Sequence, residues 1–474
     1  MIKHAVSISI VLLACAAIAQ KPADSPSWLA LKNLEQDPAL ANGTVAIKAV
    51  NLDNGDVIID HNGQKSMIPA SIQKLVTTAA ALETHGPNFQ FVTEVKAAGE
   101  LEVGKIYGDI YVMPSGDPTL QSRYYGGETS SLKKFEEILR KANSFEGRLV
   151  IDASAMNAHA TPRGWMWEDM GNYFGATPTA LIWRDNTLDM YLNSGQVGTR
   201  AMLSSRTKYI EDFEVDIQVE ASSDSRDNAW FFSAPQTDKI YAQGTIPAHQ
   251  TNFLVKASHP DPMRQFGYEI LASADMKETE LRIDYEYIPH KNLETLGSIV
   301  SPPLYSIVRL TNQKSINLYA EALAISLDTA KHFKSIEGGV NGVERFLKEK
   351  RVSINGLRMN DGSGLSPMNR ITCETMIELL MVMQQSKVKD EFKNSLPVAG
   401  QSGTLANSFT HPSLKGKLIA KSGTMKGVRN YAGYLKNDRG EEIAICVMIN
   451  DYDDYRSTAV KKKIEELMVA ISED

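Results

Sequence analysis

The chain has 474 residues, of which 43% are hydrophobic and 23% charged, a balance that supplies a globular core and excludes a disordered, collagenous or polytopic membrane protein. At about 100–200 residues per domain, this length implies roughly three domains. A formal charge of -7 and an isoelectric point near 5.8 leave no basic footprint for a nucleic acid, and three cysteines allow neither a disulfide scaffold nor a CxxC zinc site.

Lys3 and His4 precede an apolar run over 5–19 that ends in Ala17-Ile18-Ala19, the form of a signal-peptidase site. The run is short for a permanent span. Residues 1–19 therefore read as a signal peptide cleaved before Gln20, with the periplasm as destination. Lipid attachment at Cys15, after the loose lipobox Leu12-Leu13-Ala14, is the alternative. Membrane contact is at most peripheral or through such an anchor. Export leaves Cys373 and Cys446 in the mature chain, either bridged or as two buried thiols.

A helix is predicted over 28–40, a strand over 44–50 and, after the turn signal Asp53-Asn54-Gly55, a returning strand over 57–60. A mostly apolar helix follows Pro69 over 71–84 and stops at Gly86-Pro87. The middle of the chain changes texture. Short strand-like runs such as 106–113 and 147–151 are separated by Gly, Pro, Asn and Asp, with one helix-like stretch over 132–142. Strands over 418–422, 430–436 and 443–449 follow near the end. Ile464, Leu467, Met468 and Ile471 then recur at helical spacing. Such a stripe packs on a sheet or, alternatively, lies on a membrane surface. There is no fixed-period repeat, and both ends look like parts of one sheet-and-helix domain, 20–95 with 290–474. An insert over 96–289 interrupts it, with an inner unit nested at about 187–260.

Common hydrolase signatures (G-x-S-x-G, H-E-x-x-H, the P-loop) are missing and the histidines are scattered, so the base of a hydrolase here is not expected to be imidazole. Ser71-Ile72-Gln73-Lys74 opens the first strong helix, where residues three apart share a face and hydroxyl can meet amine. The partial positive charge of a helix start favours a developing alkoxide and oxyanion, and apolar neighbours would dry the lysine enough to lower its pKa. By itself the spacing is cheap: Ser131/Lys134, Ser205/Lys208 and Ser386/Lys389 repeat it in what read as surface segments. Ser315-Ile316-Asn317 precedes another helix, where a serine is ordinarily a cap, and Ser353-Ile354-Asn355 shows how easily that pattern arises. In Lys421-Ser422-Gly423-Thr424, strand alternation puts Lys421 and Gly423 on one face and Ser422 and Thr424 on the other. The glycine permits close approach of another backbone.

In this order the three motifs form the signature of penicillin-binding proteins and class A β-lactamases. The chain resembles the class C low-molecular-mass penicillin-binding proteins, the DacB-like D-alanyl-D-alanine carboxypeptidase/endopeptidases. Further stretches carrying the likeness are Gly116-Asp117-Pro118-Thr119-Leu120, Gly164-Trp165-Met166-Trp167, Lys314 through Glu321, Asp361-Gly362-Ser363-Gly364-Leu365-Ser366 and Leu396-Pro397-Val398-Ala399-Gly400. Ile316 stands where the family often has Asp, and Ser422 where it usually has Thr; neither change removes a group the chemistry needs. Glu168 and Asn172 imitate the deacylating loop of class A β-lactamases, but Ser-x-Asn lies beyond both here rather than before the glutamate, so the imitation reads as accidental.

The resemblance implies an α+β fold, a transpeptidase/β-lactamase-like antiparallel sheet flanked by helices and interrupted by a largely β two-domain insert. It implies acyl transfer on peptidoglycan stem peptides ending in D-Ala-D-Ala, with Ser71 as nucleophile, Lys74 as base, Ser315 passing a proton to the leaving amine and Asn317 holding the substrate amide. The N–H groups of Ser71 and Thr424 would form the oxyanion hole. The Lys421 to Thr424 strand would bind substrate, with Lys421 adding positive potential. Asp152 could reach the substrate's amino-bearing side chain or merely cap a turn. β-Lactams would act as covalent inhibitors, and no metal or organic cofactor is implied. The rival from another class is a non-catalytic wall-binding or β-lactam-sensing protein of the same fold.

Overall fold

The computed structural model describes residues 24–474 except 103–104, 127–129, 142–143, 158–160, 207–212 and 290–291. The leader with Cys15, and Lys208, lie outside the described residues. Among the described residues no helix is long and apolar enough to cross a membrane.

The two ends of the chain build one antiparallel sheet, in the order Leu418–Met425, Val428–Lys436, Glu442–Asn450, Thr44–Asn51, Val57–His61. Its central strand is apolar on both faces, which demands two covers. Ile443, Ile445, Val447 and Ile449 share a core with Leu31 and Leu34 of the helix Pro26–Glu35 and with the closing helix Ser457–Glu473. The closing stripe Ile464, Leu467, Met468 and Ile471 is wholly buried in that core, so it packs on the sheet rather than on a membrane surface. Ala444, Cys446 and Met448 face the other way, toward the helices Lys74–His85 and Cys373–Gln384. Cys373 and Cys446 are both buried free thiols.

Two boundaries differ from expectation. The predicted first helix ends at Glu35, and 38–40 form a separate turn of 3-10 helix begun by Pro38 and capped by the Asp37 carboxylate. The helix predicted from residue 71 begins instead with a 3-10 turn, Ala70–Gln73, before regular α geometry starts at Lys74, and it ends at Gly86 with φ +79.

In the middle, Val92–Ala98 pairs with Leu293–Val300 and extends a mixed five-stranded sheet through Ile110–Met113, Leu149–Asp152 and Leu281–Asp284. Two helices cover it, Ser131–Leu139 as expected and Pro262–Ser273, which the sequence reading missed despite its start signal of an Asp261 cap before Pro262. Phe266 ties them together, its ring centroid 4.8 Å from Phe135 and 5.0 Å from Trp183. Two three-stranded sheets between Thr187 and Ser258 enclose a separate small core around Met190, Leu192, Val219, Phe231 and Val255. We propose, from these pairings, that the insertion runs from Val92 to Val300, slightly wider than 96–289, with the unit at 187–260 nested inside it.

Candidate active site

The 3-10 turn that carries Ser71 is held against the main sheet by two asparagines. Asn430 Nδ2 donates to the carbonyls of Ile68 and Pro69, each at 2.8 Å, and Asn450 Oδ1 accepts from the Ile68 N–H at 2.7 Å. Ala70, just before the serine, sits at φ +45, in left-handed backbone that costs a non-glycine residue about 1–2 kcal/mol. Its carbonyl abuts Gly364, where a Cβ would lie 1.9 Å away, so close packing of two loops fixes the strained residue.

Lys74, one helical turn on, is completely buried, and its Nζ has three partners: Ser71 Oγ at 2.9 Å, Asn317 Oδ1 at 2.6 Å and the Ser363 carbonyl at 2.8 Å. Asn317 Nδ2 donates to the Phe174 carbonyl at 2.8 Å, so the amide orientation is set and its oxygen faces the lysine. The Ser315 motif forms the expected inter-helix turn, with Ser315 itself left-handed at φ +59 between the helices Leu304–Lys314 and Asn317–Ser326. Its Oγ accepts from Lys421 Nζ at 2.9 Å, and Lys421 also donates to the Ser422 carbonyl at 2.7 Å. The three distant motifs therefore converge.

Strand alternation holds in the third motif: Lys421 and Gly423 are buried, Ser422 is half-buried and Thr424 is exposed. A Cβ on Gly423 would fall 2.7 Å from the Pro69 carbonyl and 3.0 Å from the N–H nitrogens of Ser71 and Ile72. No side chain fits between this strand and the serine turn. Gly423→Ala should push the strand off the Ser71 amide. Acylation by a chromogenic β-lactam should then slow by about 100-fold, the scale of losing one oxyanion donor, and an unchanged rate would refute the role of this close approach.

Burial pushes the Lys74 ammonium down to about 7, against the opposing pull of Glu321 and Asp361. Burial, helped by the proximity of Asp361, raises the Glu321 carboxyl to about 8. Lys421 is pushed well below the usual lysine range, by burial first and by Lys74 second. The fixed positive potential expected of Lys421 is thus opposed by its own desolvation in the protein alone.

Glu321 and Asp361 were quoted within motifs, yet no role was given to them from sequence. Glu321 accepts from the N–H groups of Gly362 and Ser363, each at 2.8 Å, and so aims the Ser363 carbonyl at Lys74. Asp361 gathers Gln73 Nε2, Trp165 Nε1, Asn369 Nδ2 and the N–H groups of Gly364 and Ser366, all within 2.9 Å. Glu321→Ala would orphan two buried donors at about 1–3 kcal/mol each. The expected loss of unfolding free energy is about 2–6 kcal/mol by urea titration; a loss below about 1 kcal/mol would contradict the network.

The remaining candidates fall elsewhere. Asp152 caps its turn, accepting from Ser154 N–H at 3.0 Å and Ser154 Oγ at 2.6 Å. Asn172 binds the Glu168 carbonyl at 2.7 Å and accepts from Phe231 N–H at 3.1 Å, so the Glu168/Asn172 imitation fastens a loop. Ser131 Oγ accepts from Gln121 N–H at a helix start, Ser386 donates to Glu83, and Ser353 accepts from Asn355 N–H in a turn.

Residues 29–473 match the family model described as the D-Ala-D-Ala carboxypeptidase 3 (S13) family. The chain is 28% identical to D-alanyl-D-alanine carboxypeptidase DacB of Haemophilus influenzae over 431 residues, 86% of this chain and 85% of the relative. It is 27% identical to the D-alanyl-D-alanine carboxypeptidase of Actinomadura sp. over 449 residues, 90% and 82% of the two chains. The crystal structure of penicillin binding protein 4 (dacB) from Haemophilus influenzae superposes with a TM-score of 0.78 at 24% identity, covering 92% of this chain and 98% of that one. That protein has also been solved complexed with a β-lactam. With the fold matched end to end and the family model spanning nearly every residue, this chain belongs to the D-Ala-D-Ala carboxypeptidase 3 (S13) family.

Proposed function

We propose that this D-alanyl-D-alanine carboxypeptidase works through an acyl-enzyme on Ser71 with neutral Lys74 as its base, and that the same acyl-enzyme also opens D,D cross-links. The supporting observation is the set of partners around Lys74 Nζ. Asn317 Oδ1 and the Ser363 carbonyl can only accept. An uncharged amine spends its two N–H bonds on them and keeps its lone pair for the Ser71 hydroxyl.

Ser71 Oγ attacks the carbonyl carbon of the penultimate D-alanine while Lys74 takes the hydroxyl proton. The N–H groups of Ser71 and Thr424 hold the oxyanion. As the C–N bond breaks, the proton taken up by Lys74 is relayed by the Ser315 hydroxyl, which touches Lys421, to the departing amine, and Lys74 is neutral again for deacylation. Water then cleaves the ester and Ser71 regains its proton. Asn317 Oδ1 accepts from Lys74 and Nδ2 donates to Phe174, so Asn317 positions the base, and the second lone pair and second N–H of its amide still serve to hold the substrate amide. The substrate's terminal carboxylate supplies the counter-charge that favours the Lys421 ammonium. The strand at 421–424 receives the peptide as an added strand.

The substrates are wall stem peptides ending in D-Ala-D-Ala, and β-lactams trap Ser71 by imitating them. The leader is read as sending the protein to the periplasm. Release of D-alanine from purified muropeptides tests this reading. A wall-binding protein or β-lactam sensor would release none, and a sensor would still acylate.

A further inference from the structure

The strand Leu418–Met425 lies at one edge of the main sheet, and the Ser422 hydroxyl on it already has a partner in the protein alone. Ser422 Oγ donates to Thr404 Oγ1 at 2.8 Å. Thr404 belongs to none of the three motifs; it sits in a 3-10 turn, Gly403–Leu405, 18 residues before Ser422. This turn is anchored on both sides. Gly403 is left-handed at φ +59, and a Cβ there would fall 2.4 Å from Oε1 of Gln313, in the helix that leads to Ser315. The segment before the turn is stitched to the strand itself, with Ala420 N–H donating to the Pro397 carbonyl and Ala399 N–H to the Leu418 carbonyl, each at 2.9 Å. Leu405 is buried in the core shared with the closing helix, while Thr404 is exposed. The turn therefore fixes one open hydroxyl beside the strand that receives the peptide.

Counting hydrogens decides what that hydroxyl can do. A hydroxyl has one hydrogen and two lone pairs, and an ionised carboxylate can only accept. Ser422 has given its hydrogen to Thr404, so toward a carboxylate it presents lone pairs alone. Thr404 has no acceptor for its own hydrogen among the described residues, and that hydrogen is free to donate. Lys421 also lacks an anionic partner: it is wholly buried, and its hydrogen bonds go to two neutral oxygens, Ser315 Oγ and the Ser422 carbonyl. A carboxylate at the end of an added strand has two oxygens, one for each of these donors.

We infer that Thr404 is a substrate-binding residue: its hydroxyl donates to the C-terminal carboxylate of the stem peptide, and Ser422 is the positioning residue that holds it at the strand edge. This contact deepens the proposed reaction and rests on it for the direction in which the peptide lies. It also accounts for Ser422 where the family usually has Thr. A serine lacks the χ1 restriction of a β-branched side chain, and the bond to Thr404 supplies that restriction.

Acylation by a penicillin, whose carboxylate stands for the terminal one, and by its carboxylate methyl ester tests the contact in Thr404→Val, which keeps the shape and loses the donor. Intact mass followed over hours reads the slow ester as readily as the acid. Loss of a hydrogen bond to a charged group should slow the acid about tenfold or more in Thr404→Val, leave the ester within about twofold of wild type, and be reversed in Thr404→Ser to within about threefold. An unchanged acid rate in Thr404→Val overturns the inference, and so does an equal fall for acid and ester, which a merely structural turn would give. Failure of the Ser71 reading shows separately, as no adduct on wild type from either compound. Calorimetric titration of a stem peptide ending in D-Ala-D-Ala and of its C-terminal amide then decides Thr404 by itself. The acid should bind wild type about tenfold more tightly than Thr404→Val, and the amide should bind both alike; equal binding of the acid overturns the inference.

Discussion

Ser71→Ala should abolish covalent labelling by a fluorescent penicillin, with no residual band at any antibiotic concentration that labels the wild type. The expectation follows from the contacts around the hydroxyl. Ser71 is the hydroxyl bonded to Lys74 Nζ, at 2.9 Å, and the other partners of that amine are an amide oxygen and a carbonyl that cannot be acylated. Ser315 touches a different amine, Lys421. The variant should keep its fold, because Ser71 is only half-buried and the surrounding turn is held by Asn430 and Asn450 rather than by the serine. Its thermal midpoint should stay within about 4 °C of wild type, the shift that a change near 1 kcal/mol can produce. Persistent labelling of the folded variant would remove Ser71 as nucleophile.

Acylation should also depend on pH through Lys74. Its ammonium is pushed down to about 7 by burial, and only the neutral amine can accept the serine proton. The sign is fixed by that requirement. Below pH 7 the protonated fraction grows and the acylation rate should fall tenfold per pH unit; above 7 it should level off. An ordinary lysine would give a rate still rising toward pH 10. Lys74→Ala should slow acylation by about 10²–10⁴-fold at neutral pH, the usual contribution of a general base, and should erase the inflection near 7. A near-normal rate in Lys74→Ala, or a wild-type profile flat from pH 5 to 9, would refute the assignment. Glu321, Asp361 and Lys421 all bear on this amine. Glu321 is raised to about 8, so burial shifts amine and carboxyl alike toward their uncharged forms.

Much of the chemistry was legible because it is written locally. The Ser71/Lys74 spacing is one helical turn, the faces of 421–424 follow strand alternation, and Ser315 falls in a turn between two helices with strong apolar patterns. Asp361 and Glu321 were not legible in the same way. An acid in a Gly-rich loop or on a helix ordinarily faces water, and only the packing of that loop on two helices buries both carboxylates beside the lysine. The Pro262–Ser273 helix carried a start signal that the strand-rich texture of its surroundings overrode. The division of the chain was read from texture. The strands Val92–Ala98 and Leu293–Val300 carry few turn residues, so their place in the middle sheet shows only in their pairing with each other and in that of Val92–Ala98 with Ile110–Met113.

By itself the sequence determined the reaction class and the order of the parts, since hydroxyl, amine and amide are set by residue type and by spacings within single elements. The tertiary structure decided everything that depends on dielectric and on contact between distant segments. It dried Lys74 and Lys421, closed the strand over Ser71 at Gly423, joined Asn317 Oδ1 to Lys74 Nζ, and opened an aromatic cleft beside the turn. Charge state and approach distance are properties of what surrounds a residue, and for Lys74 the partners Asn317 and Ser363 come from segments more than 200 residues away.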